Sequence, residues 1–334
     1  MDENQTDTEQ ITSFEQAFYL VNGFVGTFLN GIVLFIALRH VDTYDKPRQI
    51  LVINMTLADL LMCLVYMTTR PFLPFFAEYL CFSYYVVICA CQLSSCMNLL
   101  WLNVDKLIFI QFPLHYYTII SRVRVLFTTI LTWIVLISIS VGVFSTITVL
   151  KACHLVSINP LLYLPICVLY VVMIIASFII SSVIYFIAKN SRKFEPRARL
   201  KMFQRLFFLF SSTLWTFVTC LPYRLLYLLH ALCGPCKNST FYVGLTDFFF
   251  KVLVVGIVIN PIITIVTQRL YRHQILVYGK MIGNLFFQKG ESFDSFTTNC
   301  TTTSTYYTHR VSKQSAEAEP ESQELSKLKK NTEV

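Results

Sequence analysis

Residues 50–70 read ILVINMTLADLLMCLVYMTTR, an apolar run with one ionisable side chain, Asp59, near its centre. A helix needs roughly 20 predominantly apolar residues to cross the hydrocarbon core of a bilayer, and this run meets that length. Six further runs of the same kind lie at residues 18–38, 81–109, 125–148, 162–188, 202–230 and 241–266. The pattern predicts an all-α membrane protein built as a bundle of seven transmembrane helices.

Composition supports this fold class. The chain of 334 residues is 55% hydrophobic and 14% charged, which leaves too little polar surface to cover a soluble globule of that size. Its net charge of +8 is concentrated in alternate connections, which hold Arg39, His40, Lys46, Arg48, Arg122, Arg124, Lys189, Arg192, Lys193, Arg197, Arg199, Lys201, Arg269 and Arg272. Because basic connections face the cytoplasm, we expect residues 1–17 outside, the C-terminus inside, and a multi-pass protein of the plasma membrane. No nucleic-acid partner is expected.

Two glycosylation sequons fall on the side expected to be outside. Asn4 and Asn238 each begin an Asn-x-Ser/Thr pattern, and modification is chemically possible on that side. The same pattern at Asn54 lies inside an apolar run, and at Asn299 it lies in the expected cytoplasmic tail, so both are read as chance matches. We therefore expect sugars only at the two outer sites.

Polar, tryptophan and proline landmarks follow one another along the runs. In chain order these are Asn30, Asp59, Asp105 with Lys106, Trp133, Pro222, and Asn260 with Pro261, while Pro113 and Tyr116 follow the third run. Over residues 18–275, this order and spacing resembles the rhodopsin-like G-protein-coupled receptors. The resemblance implies a receptor, not an enzyme, that binds an extracellular ligand and activates a heterotrimeric G protein. It also implies a G-protein face at Asp105, Lys106, Pro113 and Arg205, and switch positions at Pro222, Asn260 and Pro261.

The eleven cysteines lie mostly inside apolar runs, where a free thiol behaves as a small hydrophobe. The resemblance implies a disulfide between Cys81, at the outer end of the third run, and Cys153, in the next outer connection. Cys233 and Cys236 flank a Gly-Pro turn in another outer connection, which favours a second disulfide. A metal site there would need further Cys or His ligands, which that connection lacks.

Asp59 is the ionisable residue nearest the middle of a run. A charge at that depth is costly and usually faces the bundle interior, so we expect Asn30, Ser95 and Asn260 as its polar neighbours. In the family that this chain resembles, such a cluster binds a sodium ion together with water, and sodium is the only small cofactor expected. The alternative is a hydrogen-bond network that only holds the helices together.

The sequence disfavours two known kinds of ligand and favours a third. The aspartate that binds biogenic amines in this family would fall at Ile88, and the retinal-bearing lysine of opsins at Val254, so an amine ligand and a photoreceptor are both disfavoured. The outer half of the runs instead contains cations and hydrogen-bonding side chains, namely Arg70, Gln92, Tyr223, Arg224, Tyr227 and Lys251. These predict a ligand with an anionic group, a peptide in the first place and a small anionic metabolite or lipid in the second.

Each cation also has a simpler interpretation. Arg70 can extend toward the membrane interface, and Lys251 can pair with Asp247 one helical turn away. Arg224 lies only two residues beyond Pro222, deep enough in the run to require a partner. Arg224 is therefore the strongest single candidate for a ligand contact.

Several switch positions depart from the family pattern. Lys106 stands where the family has arginine, and a flexible ammonium does not reproduce a planar guanidinium fork. Cys220 replaces an aromatic residue two positions before Pro222, Thr264 replaces the tyrosine that follows Asn260, and no acidic residue occurs near Met202. Either the inactive state is loosely held and basal activity is high, or other contacts replace these switches.

The C-terminal part divides in two. Residues 267–277 alternate apolar and basic residues at helical spacing, which predicts an amphipathic helix on the inner leaflet. Residues 287–334 are rich in Ser, Thr, Glu and Lys and are expected to be a disordered cytoplasmic tail. Its hydroxyl cluster at residues 297–305 suggests phosphorylation and arrestin recruitment, and the terminal Thr332 and Val334 match a PDZ-domain ligand.

Other classes of membrane protein lack their sequence signatures. A transporter would show internal repeats and broken helices in matched positions, whereas Pro222 and Pro261 have no counterparts in the first half of the chain. An intramembrane enzyme would need paired aspartates or a zinc motif within the runs, and neither is present. A non-signalling or decoy receptor stays open as the other interpretation.

Overall fold

The computed structural model describes residues 13–41, 43, 46–112, 114–145, 148–149, 153, 156–157, 160–190, 196–232 and 239–287. The described residues divide between two units, one ending at Ile275 and the other beginning at Leu276. Seven of the described helices are long and apolar enough to cross a membrane, so the predicted seven-helix fold is confirmed.

The helices follow the apolar runs. In chain order they are α1 (Ser13–His40), α2 (Gln49–Leu61), α3 (Glu78–Gln111), the single turn α4 (Tyr116–Ile119), α5 (Arg122–Phe144), α6 (Pro160–Asn190), α7 (Pro196–Leu232), α8 (Thr240–Thr267) and α9 (Arg269–Phe287). Strands β1 (Thr148–Val149) and β2 (Val156–Ser157) form a short antiparallel hairpin between α5 and α6. The seven spans are α1, α2 with the π-helical turn that follows it to Met67, α3, α5, α6, α7 and α8.

Helix α3 is the centre of the bundle, because it packs against α2, α5, α6 and α7. Residues buried inside the bundle include Leu93 and Leu102 of α3, whereas large apolar side chains such as Phe24, Phe127 and Phe186 are exposed on its outside. Apolar side chains on the exterior of a helical bundle are suited to contact with lipid. The helices form their backbone hydrogen bonds internally, so no backbone polar group needs a partner in the lipid.

The second span changes its winding before it ends. After α2 the chain continues as a π-helical turn, Met62–Met67, and then as a 3₁₀ helix, Arg70–Phe75. Thr68 and Thr69 donate hydrogen bonds to the carbonyls of Leu64 and Val65, which provides polar contacts where the α-helical pattern is lost. Arg70 is the first residue of this 3₁₀ helix, and its side chain is 29% exposed.

Several helices extend beyond the predicted boundaries; α7, for example, begins at Pro196 rather than at residue 202. The fourth run was predicted to end at residue 148, but α5 ends at Phe144 and Thr148 lies in β1. Helix α1 begins at Ser13, inside the segment 1–17 that was expected to precede the bundle. Helix α9 ends at Phe287, ten residues past the predicted end at 277, because Val277, Met281 and Leu285 continue the apolar spacing of a helix. Its position on the inner leaflet stays a prediction.

Candidate functional site

A cavity of about 480 Å³ lies in the half of the bundle that carries Cys81, and we call this half the outer half. Six tyrosines contribute to its wall: Tyr66, Tyr85, Tyr163, Tyr170, Tyr223 and Tyr227. Gln92 and Arg224 also line it, together with Arg70 and Asp247. The volume and the mixture of aromatic and polar side chains are those of a ligand site.

Arg224 is the most deeply buried cation of this outer cavity, with 3% of its surface exposed. Its Nη2 donates to Gln92 Oε1, and its Nη1 donates to the hydroxyl of Tyr163 at 3.3 Å. The guanidinium lies over the ring of Tyr170, 4.0 Å from the centroid. In the described part of the chain, no acidic side chain forms an ion pair with Arg224, so its charge is held by neutral groups alone.

The other two predicted cations have acidic neighbours. Arg70 Nη2 lies 4.0 Å from Glu15 Oε1, and its guanidinium is 4.8 Å from the ring of Tyr19. Lys251 Nζ lies 2.6 Å from Asp247 Oδ2, one turn away in α8. Lys251 is not among the described residues that line the outer cavity, whereas the other five ligand-binding candidates all line it.

The two positions that disfavour an amine ligand and a photoreceptor, Ile88 and Val254, lie in different surroundings. Ile88 lines the outer cavity and presents an apolar side chain where an amine site would need a carboxylate. Val254 is fully buried in the core and is not part of the described cavity wall.

The predicted disulfide between Cys81 and Cys153 is confirmed, with Cα atoms 5.5 Å apart. It joins the outer end of α3 to the connection between β1 and β2. The hydroxyl of Tyr85, a cavity residue, donates to the carbonyl of Cys153 at 3.2 Å, so the bridged connection is tied directly to the cavity wall. Cys233, Cys236, Asn4 and Asn238 lie outside the described residues.

Beneath the outer cavity, three helices meet at Asp59, which is 2% exposed. Ser95 Oγ of α3 donates to Asp59 Oδ1 at 2.8 Å, and Asn260 Nδ2 of α8 donates to Asp59 Oδ2 at 2.9 Å. Asn30, the fourth predicted member, donates instead to the carbonyl of Gly26 at 2.9 Å and approaches Cys63 Sγ at 3.8 Å.

A smaller cavity of about 40 Å³ adjoins this cluster, and we call it the lower cavity. Asp59, Ser95 and Asn260 line one side of it, while Gln92 and Arg224 line both cavities. A water molecule needs roughly 10–15 Å³ of such space, so about three or four water-sized species fit. One buried carboxylate beside a hydroxyl is a donor set that suits a small monovalent cation with water.

The inner end of α3 is organised around Asp105. The hydroxyl of Tyr116, from α4, donates to Asp105 Oδ1 at 2.7 Å, and burial together with the charge of Asp105 raises the pKa of Tyr116 above its ordinary range. Lys106 Nζ lies 3.6 Å from Asp105 Oδ2 and 5.4 Å from the ring centroid of Phe109. Arg205 lies in α7, and Pro113 lies outside the described residues.

Contacts between α7 and its neighbours were missed by sequence reasoning. Asn103 Nδ2 of α3 donates to Thr213 Oγ1 of α7 at 3.2 Å, and Trp215 Nε1 donates to the carbonyl of Gly256 in α8 at 3.0 Å. Both contacts involve isolated polar groups in apolar runs. The burial of such groups could be foreseen, but their partners on distant runs could not.

A family model described as 7 transmembrane receptor (rhodopsin family) matches residues 29–263. A curated protein of Caenorhabditis elegans, the G-protein coupled receptor aex-2, is 54% identical over 279 residues, which are 83% of this chain and 86% of that protein.

Proposed function

Because the chain belongs to the rhodopsin family of seven-transmembrane receptors, we propose that it converts the binding of an extracellular ligand in the outer cavity into activation of a heterotrimeric G protein. G-protein coupling is supported by the name of the similar C. elegans protein, a G-protein coupled receptor. The basic connections support an orientation with the N-terminus outside the plasma membrane and the C-terminus inside.

The observation that carries this proposal is the outer cavity itself. It combines a buried guanidinium, a neighbouring amide at Gln92 and six tyrosines, which supply both apolar area and hydroxyl groups. A peptide can use both, because its backbone and side chains offer hydrogen bonds and apolar surface together. A peptide is therefore the first ligand class, and a small anionic metabolite or lipid is the second, favoured by the burial of Arg224.

Signal transfer would follow α7. Pro222 removes a backbone hydrogen bond inside this helix and permits a kink, and Arg224 lies on the outer side of that kink. Ligand binding would favour conformations in which the inner part of α7 moves outward. The opened cleft would be bordered by Asp105, Lys106 and Arg205, and the G protein would bind there.

The cluster at Asp59 would act as a modulatory site. Asp59, Ser95 and Asn260 would hold a sodium ion with water, and the ion would supply the positive charge that a buried carboxylate needs. Because these residues come from α2, α3 and α8, their mutual attraction to one cation would stabilise one packing of the three helices. The partners proposed for the tail, arrestin at residues 297–305 and a PDZ domain at Thr332 and Val334, concern residues outside those described.

The test is to express the full chain in cells and to measure cAMP, calcium and inositol phosphate without added ligand. Lys106→Arg and Asp59→Asn variants are measured alongside, each normalised to surface expression. A basal signal that either substitution changes would support coupling and identify the pathway. Silence in every channel, persisting through peptide and lipid libraries, would contradict the proposal and favour a decoy receptor.

A further inference from the structure

The three candidate cations in the outer half of the bundle differ in whether an acidic side chain lies close enough to neutralise them. Arg70 has Glu15 at 4.0 Å, and Lys251 has Asp247 at 2.6 Å. Arg224, which is more deeply buried than either, is contacted by Gln92, Tyr163 and Tyr170 and forms no ion pair within the described residues. The described cavity therefore contains one cation whose charge no neighbouring acid balances.

The sequence limits what else could balance that charge. Residues 145–160 and 233–239, which connect helices at the outer end, contain no Asp or Glu. The remaining acids on that side whose side chains the structure does not describe are Asp2, Glu3, Asp7, Glu9 and Glu78. A buried charge without a counter-ion is costly, so a partner supplied by a bound molecule would recover interaction energy that the free protein lacks.

The hydrogen bonding of Arg224 sets the chemistry of that partner. A guanidinium has five N–H groups. One on each of Nη1 and Nη2 is engaged by Tyr163 and Gln92, and the thiol of Cys167 is a further hydrogen-bond neighbour. The remaining N–H groups can grip one planar carboxylate in a two-pronged contact. A phosphate monoester carries about −1.5 to −2 charge at neutral pH, and a single guanidinium would leave part of it unbalanced in an aromatic cavity.

From this count we infer that the ligand places one singly charged carboxylate against Arg224, as a peptide C-terminus or an acidic side chain, with Gln92 and Tyr163 holding the guanidinium in position. The inference rests on the proposed ligand role of the outer cavity. It specifies that the anionic group of the ligand is a singly charged carboxylate. It also assigns that group to Arg224 rather than to Arg70 or Lys251.

The experiment uses the full-length receptor, purified in detergent, and three small probes of similar shape: 3-phenylpropionate, its neutral amide, and 2-phenylethyl phosphate. The rise of the unfolding temperature with probe concentration gives each dissociation constant. We expect the carboxylate to bind on the order of tenfold to a hundredfold more tightly than the amide, and more tightly than the phosphate. A carboxylate that fails to stabilise the receptor, or a phosphate that binds more tightly, would overturn the inference.

Variants locate the effect. Arg224→Gln should abolish the preference for carboxylate over amide, and Arg224→Lys should keep it in weaker form because the charge remains without the fork. The lysine variant also covers the case in which Arg224→Gln does not fold. The matched control Arg70→Gln should retain the preference, because Glu15 already balances Arg70. Loss of the preference in Arg70→Gln but not in Arg224→Gln would refute the assignment.

A further variant tests whether the chain supplies the anion itself. Replacing Asp2, Glu3, Asp7, Glu9 and Glu78 by their amides should leave carboxylate affinity unchanged, and a severalfold gain would mean that these residues compete for Arg224. All of these readouts measure binding and none requires signalling. A receptor that binds carboxylate but activates no G protein would refute the proposed function and leave this inference standing.

Discussion

The contact between Asn103 and Thr213 provides a sharp test of how this receptor stays inactive. The two side chains join α3 to α7 at 3.2 Å and are 0% and 2% exposed. Thr213 lies on the inner side of Pro222, in the part of α7 expected to move outward, whereas Asn103 belongs to α3. If this hydrogen bond belongs to the inactive packing, Thr213→Val removes it while nearly preserving the shape of the side chain.

The expected loss of free energy depends on the hydrogen bonds that Asn103 retains in the variant. A hydrogen bond contributes about 0.5–1.5 kcal/mol net, and a stranded donor costs more. Asn103 Nδ2 also donates to the carbonyl of Leu99 at 2.9 Å, so its amide is not left without a partner, and about 1 kcal/mol is the reasonable loss. That free energy shifts a two-state equilibrium roughly fivefold. We therefore expect basal activity per surface receptor to rise about fivefold.

The assay is basal second-messenger production in the pathway identified for the unmodified receptor, normalised to surface expression. Thr129→Val is the matched control, because Thr129 is also a buried threonine and its hydroxyl has no hydrogen-bond partner among the described residues. Equal basal signals from the two variants, or a decrease in Thr213→Val, would refute the view that the Asn103–Thr213 contact restrains the receptor.

Three other predictions concern stability. Sodium chloride should raise the unfolding temperature of the receptor above its value in choline chloride. Asp59→Asn should remove this difference, since a neutral amide no longer attracts the ion. A difference that survives in the variant would place the ion elsewhere. Gly256→Ala should destabilise by about 1–3 kcal/mol, because its Cβ would lie 2.9 Å from Thr219; Gly244→Ala, in open space on the same helix, is the control in thermal unfolding. Replacing both Cys81 and Cys153 by serine should lower the unfolding temperature and weaken binding of 3-phenylpropionate, because the connection tied to Tyr85 is released; unchanged binding would separate that connection from the site.

Much of the fold could be predicted because bilayer thickness fixes the length of an apolar run. The neighbours of Asp59 could be predicted for a related reason: a mid-membrane carboxylate must face the interior, where few polar groups are present to meet it. Ser95 and Asn260 meet it directly. We expected Asn30 to share this contact, but its side chain donates to the carbonyl of Gly26 in its own helix. The sequence of a run shows which residues are polar, but not how deep in the bundle each one lies.

Partners across helices were the part that sequence could not supply. Arg224 was recognised as needing a partner, yet Tyr163 and Tyr170 of α6 look in the sequence like ordinary aromatic residues of an apolar run. Lys251 shows the opposite case, because its partner Asp247 lies four residues away and local spacing alone predicts such a pair. The π-helical turn that precedes Arg70 was not foreseen, since the sequence 62–67 contains neither Gly nor Pro to mark it.

The positions of Arg224 and Thr213 on one helix make a joint prediction. They lie on opposite sides of Pro222, so the ligand and the inner contact would act on the same two-state motion of α7. In such a scheme, a variant that populates the active packing also raises apparent ligand affinity, by no more than the same factor. Thr213→Val should therefore tighten binding of 3-phenylpropionate by up to about fivefold in the thermal-shift assay, whereas Thr129→Val should not. A Thr213→Val receptor with raised basal signalling and unchanged affinity would mean that α7 does not connect the two sites.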